Sequence, residues 1–138
     1  MKLVTLLQIA GLLHLGLICA GASLPRVVGF KAHLAGLPPL LRRLFYVYYG
    51  FIGGTIVAFG AITFFQAEAL ASGTPLAGAI LTLMTLFWVA RLAVAAFVFD
   101  LKPYLTSHWR KAGHYALNAV FLYLPAIYIY ALWKGFAQ

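Results

Sequence analysis

Acid is almost missing from this chain. Glu68 and Asp100 are the only carboxylates among 138 residues, against ten lysines and arginines. They flank one apolar run, from residue 76 to residue 99, so a span through that run puts them on opposite sides of a membrane. Hydrolysis by a carboxylate pair needs both acids at one bond and is excluded. Cysteine is scarcer still. Cys19 stands alone, which rules out an intrachain disulfide and any cysteine zinc site. The sequence has no G-x-S-x-G, no P-loop and no glycine-rich dinucleotide fingerprint. Asp100, His108 and His114 are spaced by eight and six residues, which does not bring metal ligands onto one helical face, and no H-x-x-x-H occurs. No residue pattern calls for a cofactor.

Charge of either sign is scarce. Charged residues make up 9% of the chain, where soluble domains have about 25%. The length suits one domain, residues 1–138. What fills the chain instead is apolar sequence in four long runs, at about 3–22, 44–66, 76–99 and 110–133. Each is near the roughly 20 residues that cross a bilayer. The expected fold is all-α, a polytopic membrane four-helix bundle.

The first run follows Lys2 and ends in Ala20-Gly21-Ala22, which resembles a signal-peptide cleavage site. The run is longer than a usual signal core, so a retained helix is expected. In the next loop Val27, Phe30, Leu34 and Leu37 recur near the helical period, while Arg26, Lys31 and His33 take other faces. This predicts a short interfacial helix at about 26–36, ended by Pro38-Pro39. The second run opens with Phe45, Tyr46, Tyr48 and Tyr49, an interfacial aromatic belt. Gly50, Gly54 and Ala58 then fall four residues apart, a small-residue row that lets another helix approach. Thr74 is the expected cap of the third helix, with Pro75 at its first position. The loop before it is short, so the second and third helices should be antiparallel neighbours. Ser107 is the expected cap of the fourth, whose interior Pro125 leaves the Phe121 carbonyl without a donor and predicts a kink.

Arg26, Lys31, Arg42, Arg43, Lys102, Arg110 and Lys111 all lie in loops 23–43 and 100–111. Lys2 and Lys134 are alone on the other side. The positive-inside rule places both loops in the cytoplasm of a bacterial inner-membrane protein and both termini outside. The net charge of +8 follows from these loops facing anionic lipid. No basic stripe is interleaved with exposed aromatics, so nucleic acid is not an expected partner.

Arg91 lies inside the third run. A guanidinium stays charged at any ordinary pH, and near the bilayer centre it costs about 2.5–3.5 kcal/mol on insertion scales. Asp100 is nine residues on, about 900° around the helix at 100° per residue, and so points the other way. Partners must come from other spans. By depth, the candidates are His14, Asn118 and Tyr48 or Tyr49, giving an expected polar cluster around Arg91.

Three functions fit. With no catalytic set, the first is a non-enzymatic accessory or scaffold subunit of a membrane complex. It would dock on lipids and on other subunits or a second copy through Gly50, Gly54 and Ala58. The alternative is a binding or transport module in which Arg91 holds a small anionic or amphipathic, lipid-like ligand. The third is a haem or quinone redox subunit, for which His14 is the only mid-membrane histidine.

Overall fold

The computed structural model describes residues 2–137, and among these it is entirely helical. Four helices are long and apolar enough to cross a membrane. The first, α1, runs Leu3–Val28, past Pro25, and ends at Gly29, whose φ of +73° makes a left-handed cap with its N–H on the Pro25 carbonyl. Glycine adopts this conformation without the Cβ penalty.

Residues 26–28 therefore finish α1, and the separate short helix of this loop is only α2, Phe30–Leu34. It is anchored through Phe30, whose ring meets Phe45 at 5.2 Å and Tyr49 at 5.4 Å, both edge-on. The next long helix, α3, spans Pro39–Phe65 and starts on a proline at its first position. It begins before the apolar pattern does, because Arg42 and Arg43 occupy its exposed first turns. The short α4, Ala67–Leu70, buries Ala67 and Leu70.

Thr74 then caps α5, Pro75–Phe97, by accepting from the Ala77 N–H at 3.3 Å. After it, the Asp100 carboxylate accepts the Lys102 N–H at 3.1 Å, opening a 3-10 turn at Lys102–Tyr104. The last helix, α6, spans His108–Phe136 and is capped by Ser107, which accepts the Arg110 N–H. Pro125 lies buried within it, and the helix continues through.

The four long helices pack in two consecutive pairs. α1 lies chiefly on α3, α5 chiefly on α6, and α1 also touches α6. The expected neighbours α3 and α5 instead meet through a few side chains, such as Phe59 on Phe87 at 5.1 Å. Glycine decides the closest crossing. A Cβ on Gly11 would lie 2.6 Å from the Phe64 Cβ, and one on Gly60 would lie 2.7 Å from the His14 Cβ. The row of Gly50, Gly54 and Ala58 faces outward, and Gly50 and Gly54 have open space where a Cβ would stand.

The core occupies one half of the assembly, the half holding the termini and α4. Leu7, Ala10, Leu70, Leu81, Met84, Leu124 and Tyr128 fill it. Fully buried residues stop at Leu17 on α1 and Trp88 on α5, and begin at Gly60 on α3 and Leu124 on α6. Towards loops 23–43 and 100–111 the helices are loosely packed.

Candidate functional site

Arg91 lies in this open half, on the last turns of α5. It is six residues before the helix end, about 9 Å at 1.5 Å per residue. Its Cζ is 5.5 Å from the Phe99 ring centroid and 5.9 Å from that of Phe121 on α6. Tyr49 of α3 is within Coulombic reach of it. The guanidinium thus faces other helices. It makes no hydrogen bond or ion pair with any described residue. Cation–π contacts contribute about 0.5–2 kcal/mol, but they take up none of the five N–H donors. Asp100 is engaged elsewhere, on the Lys102 backbone.

Tyr49 is held by a different need. Proline at 25 has no N–H to give the carbonyl four residues earlier, and that carbonyl belongs to Gly21. The Tyr49 hydroxyl donates to it. The phenol's proton is thereby committed to α1, which leaves its oxygen lone pairs as acceptors near Arg91.

The remaining members of the expected cluster are dispersed. His14 is fully buried against Trp88, ring to ring at 5.2 Å and edge-on. Its Nδ1 lies 2.7 Å from the Ala10 carbonyl, so Nδ1 carries the proton and Nε2 the lone pair. That Nε2 has no partner, and neither does the buried Trp88 Nε1. Trp88 stacks in turn on Phe121 at 6.0 Å, so aromatic rings link His14 to Arg91 and no hydrogen bond joins them. Asn118 donates through Nδ2 to the Nε2 of His114 at 3.1 Å, one turn away on α6. Tyr48 is 64% exposed. Depth alone grouped these residues. Their rotation about each helix axis separates them, and only Tyr49 comes to Arg91.

Two buried polar links lay outside the expected set. The hydroxyls of Thr63 and Tyr128 are 2.8 Å apart, with the Met84 sulfur 3.7 Å from the Thr63 oxygen. Tyr123 donates to the Leu6 carbonyl at 3.2 Å and ties α6 to α1. Neither carries a local sequence signal, since each joins positions far apart in the chain. Pro25 did carry one, because a proline within helical sequence marks a carbonyl in want of a donor.

The chain matches no protein-family model, no curated protein and no solved structure with which it was compared.

Proposed function

We propose that this is an integral protein of the bacterial inner membrane that binds a small anionic amphiphile through Arg91. Both termini lie outside, and loops 23–43 and 100–111 lie in the cytoplasm. The observation that carries the reading is Arg91 itself: a permanent cation, turned towards neighbouring helices in the loosely packed half, flanked by two aromatic rings and given no acceptor. An anionic headgroup supplies the missing acceptors. Guanidinium suits it because its planar fork bonds phosphate or carboxylate in bidentate fashion. Phe99 and Phe121 offer apolar surface to the tail.

The test is titration of the detergent-purified chain with a short-chain phosphatidic acid, followed by native mass spectrometry. Arg91→Gln should remove one saturable binding step, and Arg91→Lys should weaken that step about tenfold through loss of the fork. Equal binding by all three proteins would end the reading. A reporter fused after residue 138 that proved cytoplasmic would reverse the orientation.

A second reading, a non-enzymatic subunit of a larger membrane complex, is favoured by one separate feature. Val47, Gly50, Phe51, Gly54, Thr55 and Ala58 line a shallow hollow of about 510 Å³ on the outer face of α3. Among the described residues, no atom beyond the helix's own backbone and chain neighbours lies within 4 Å of the Cβ positions of Gly50 and Gly54. Gly54→Leu should release a partner helix seated there. A chain that stays monomeric in mild detergent, with nothing co-purifying, would remove this second reading.

A further inference from the structure

A groove separate from the Arg91 neighbourhood runs between α1 and α6. It has a volume of about 430 Å³, within the roughly 300–1,000 Å³ of small-molecule sites. It forms because small residues stand where the two helices part: Gly16 and Ala20 on α1, and Gly113 and Ala116 on α6. Along α1 it extends from Leu13 to Val28, roughly 22 Å at 1.5 Å per residue. Its walls are almost wholly apolar. The exceptions are Ser23, Tyr104, Arg110 and His114, and the last three come from loop 100–111 and the start of α6.

The Arg110 and His114 side chains are set as donors. The Arg110 Nη1 is held at 3.2 Å from the Thr106 hydroxyl and 3.4 Å from the Tyr104 carbonyl, which fixes the guanidinium at the groove mouth with its other N–H groups unbonded by described residues. Because Asn118 donates to the Nε2 of His114, the neutral imidazole carries its proton on Nδ1 and offers a donor. Both residues lie in the first two turns of α6, where the helix dipole adds positive potential.

A long apolar shaft closed by one guanidinium and a neutral N–H donor is the complement of an acyl chain ending in a phosphate. We infer that the groove holds one anionic phospholipid, with an acyl chain along Gly16, Ala20, Gly113 and Leu117 and its phosphate on Arg110 and His114. A partner helix is too wide for this volume. A second copy of the chain has only Glu68 and Asp100 to offer the guanidinium. The inference is independent of Arg91, and its test separates the two.

The full-length chain, purified in mild detergent, is titrated with palmitoyl-oleoyl phosphatidylglycerol or the matching phosphatidylcholine and observed by native mass spectrometry. One phosphatidylglycerol should be retained about tenfold more tightly than phosphatidylcholine. Arg110→Gln should reduce it to the phosphatidylcholine level. Gly113→Leu should expel both lipids by filling the shaft, and Arg91→Gln should leave this lipid in place. A Cβ at residue 113 meets no atom within 4 Å, so the fold has room for the leucine. Gly16→Leu, on the opposite wall and equally open, serves if circular dichroism shows the first variant misfolded. Equal retention of the two lipids by the unaltered chain would mean ordinary annular lipid and would overturn the inference. So would wild-type binding in Arg110→Gln together with the folded leucine variant. Loss of phosphatidylglycerol in Arg91→Gln alone would assign the lipid to Arg91 and overturn the groove site.

Discussion

The Tyr49 hydroxyl donates to the carbonyl of Gly21, the one carbonyl of α1 that Pro25 deprives of its helical donor. One side chain from α3 thus completes the backbone of α1. The bond explains how α1 continues through a proline. It also explains why α3, loosely packed over its first half, stays in register with α1 there.

Tyr49→Phe should accordingly destabilise the chain by about 1 kcal/mol, the cost of stranding a half-buried acceptor. In a Pro25→Ala background the alanine N–H restores the helical bond, and the same substitution should then cost under about 0.5 kcal/mol. Unfolding by denaturing detergent, read by circular dichroism across this double-mutant cycle, measures the coupling. Additive effects would show that the two residues act separately.

The glycines divide into two classes. Gly60→Ala should cost about 1–3 kcal/mol by overpacking, since its new methyl group would stand 2.7 Å from the His14 Cβ. Gly11→Ala should behave alike against Phe64. Gly54→Ala meets open space and should be neutral, or stabilising by up to about 1 kcal/mol through helix propensity. The same unfolding assay on the three variants ranks them. A costly Gly54→Ala would reveal a packed partner on the outer face of α3.

Much of this architecture is legible in the amino-acid pattern, and what is not has a physical reason. Four apolar runs predict four long helices because length and hydropathy are local properties. Thr74 and Ser107 are readable as caps for the same reason. Helix ends are less so: α1 outlasts its apolar pattern because the bond that sustains it comes from Tyr49, on another helix. Depth is also local, since it counts residues along an axis. Azimuth is not. His14, Asn118 and Arg91 share a depth, yet His14 turns to Gly60 and Trp88, and Asn118 to His114. Nothing within a single helix specifies which neighbour each face meets. The groove between α1 and α6 was hidden likewise, because its two walls lie about 100 residues apart in the chain.

His14 offers a sharp test of burial against chemistry. It is fully buried, yet its Nδ1 only adds a second donor to the Ala10 carbonyl, and its Nε2 is unpaired. His14→Leu removes an orphaned polar atom and leaves Ala10 with its normal helical bond. Stability should stay within about 1 kcal/mol of the parent, because removing an unpaired buried polar group offsets the small change of shape. A loss of several kcal/mol in the unfolding assay would show that Nε2 is satisfied in the folded chain.

Thr63 and Tyr128 should behave in the opposite way. Their hydroxyls are 2.8 Å apart in the core, and both residues are fully buried. Removing either hydroxyl strands the other where no water reaches, so Thr63→Val and Tyr128→Phe should each cost about 1 kcal/mol or more. Made together, they leave nothing stranded, and the double variant should lose less than the sum. The coupling energy should fall near the 0.6 kcal/mol average for hydrogen bonds between membrane helices, and below about 1.7 kcal/mol. The Met84 sulfur, 3.7 Å from the Thr63 oxygen, is a weak acceptor that moderates the cost of Tyr128→Phe, so of the two single variants Thr63→Val should be the more damaging. Zero coupling in the cycle would show that the pair is mere proximity and that α3 is held to α6 by packing alone.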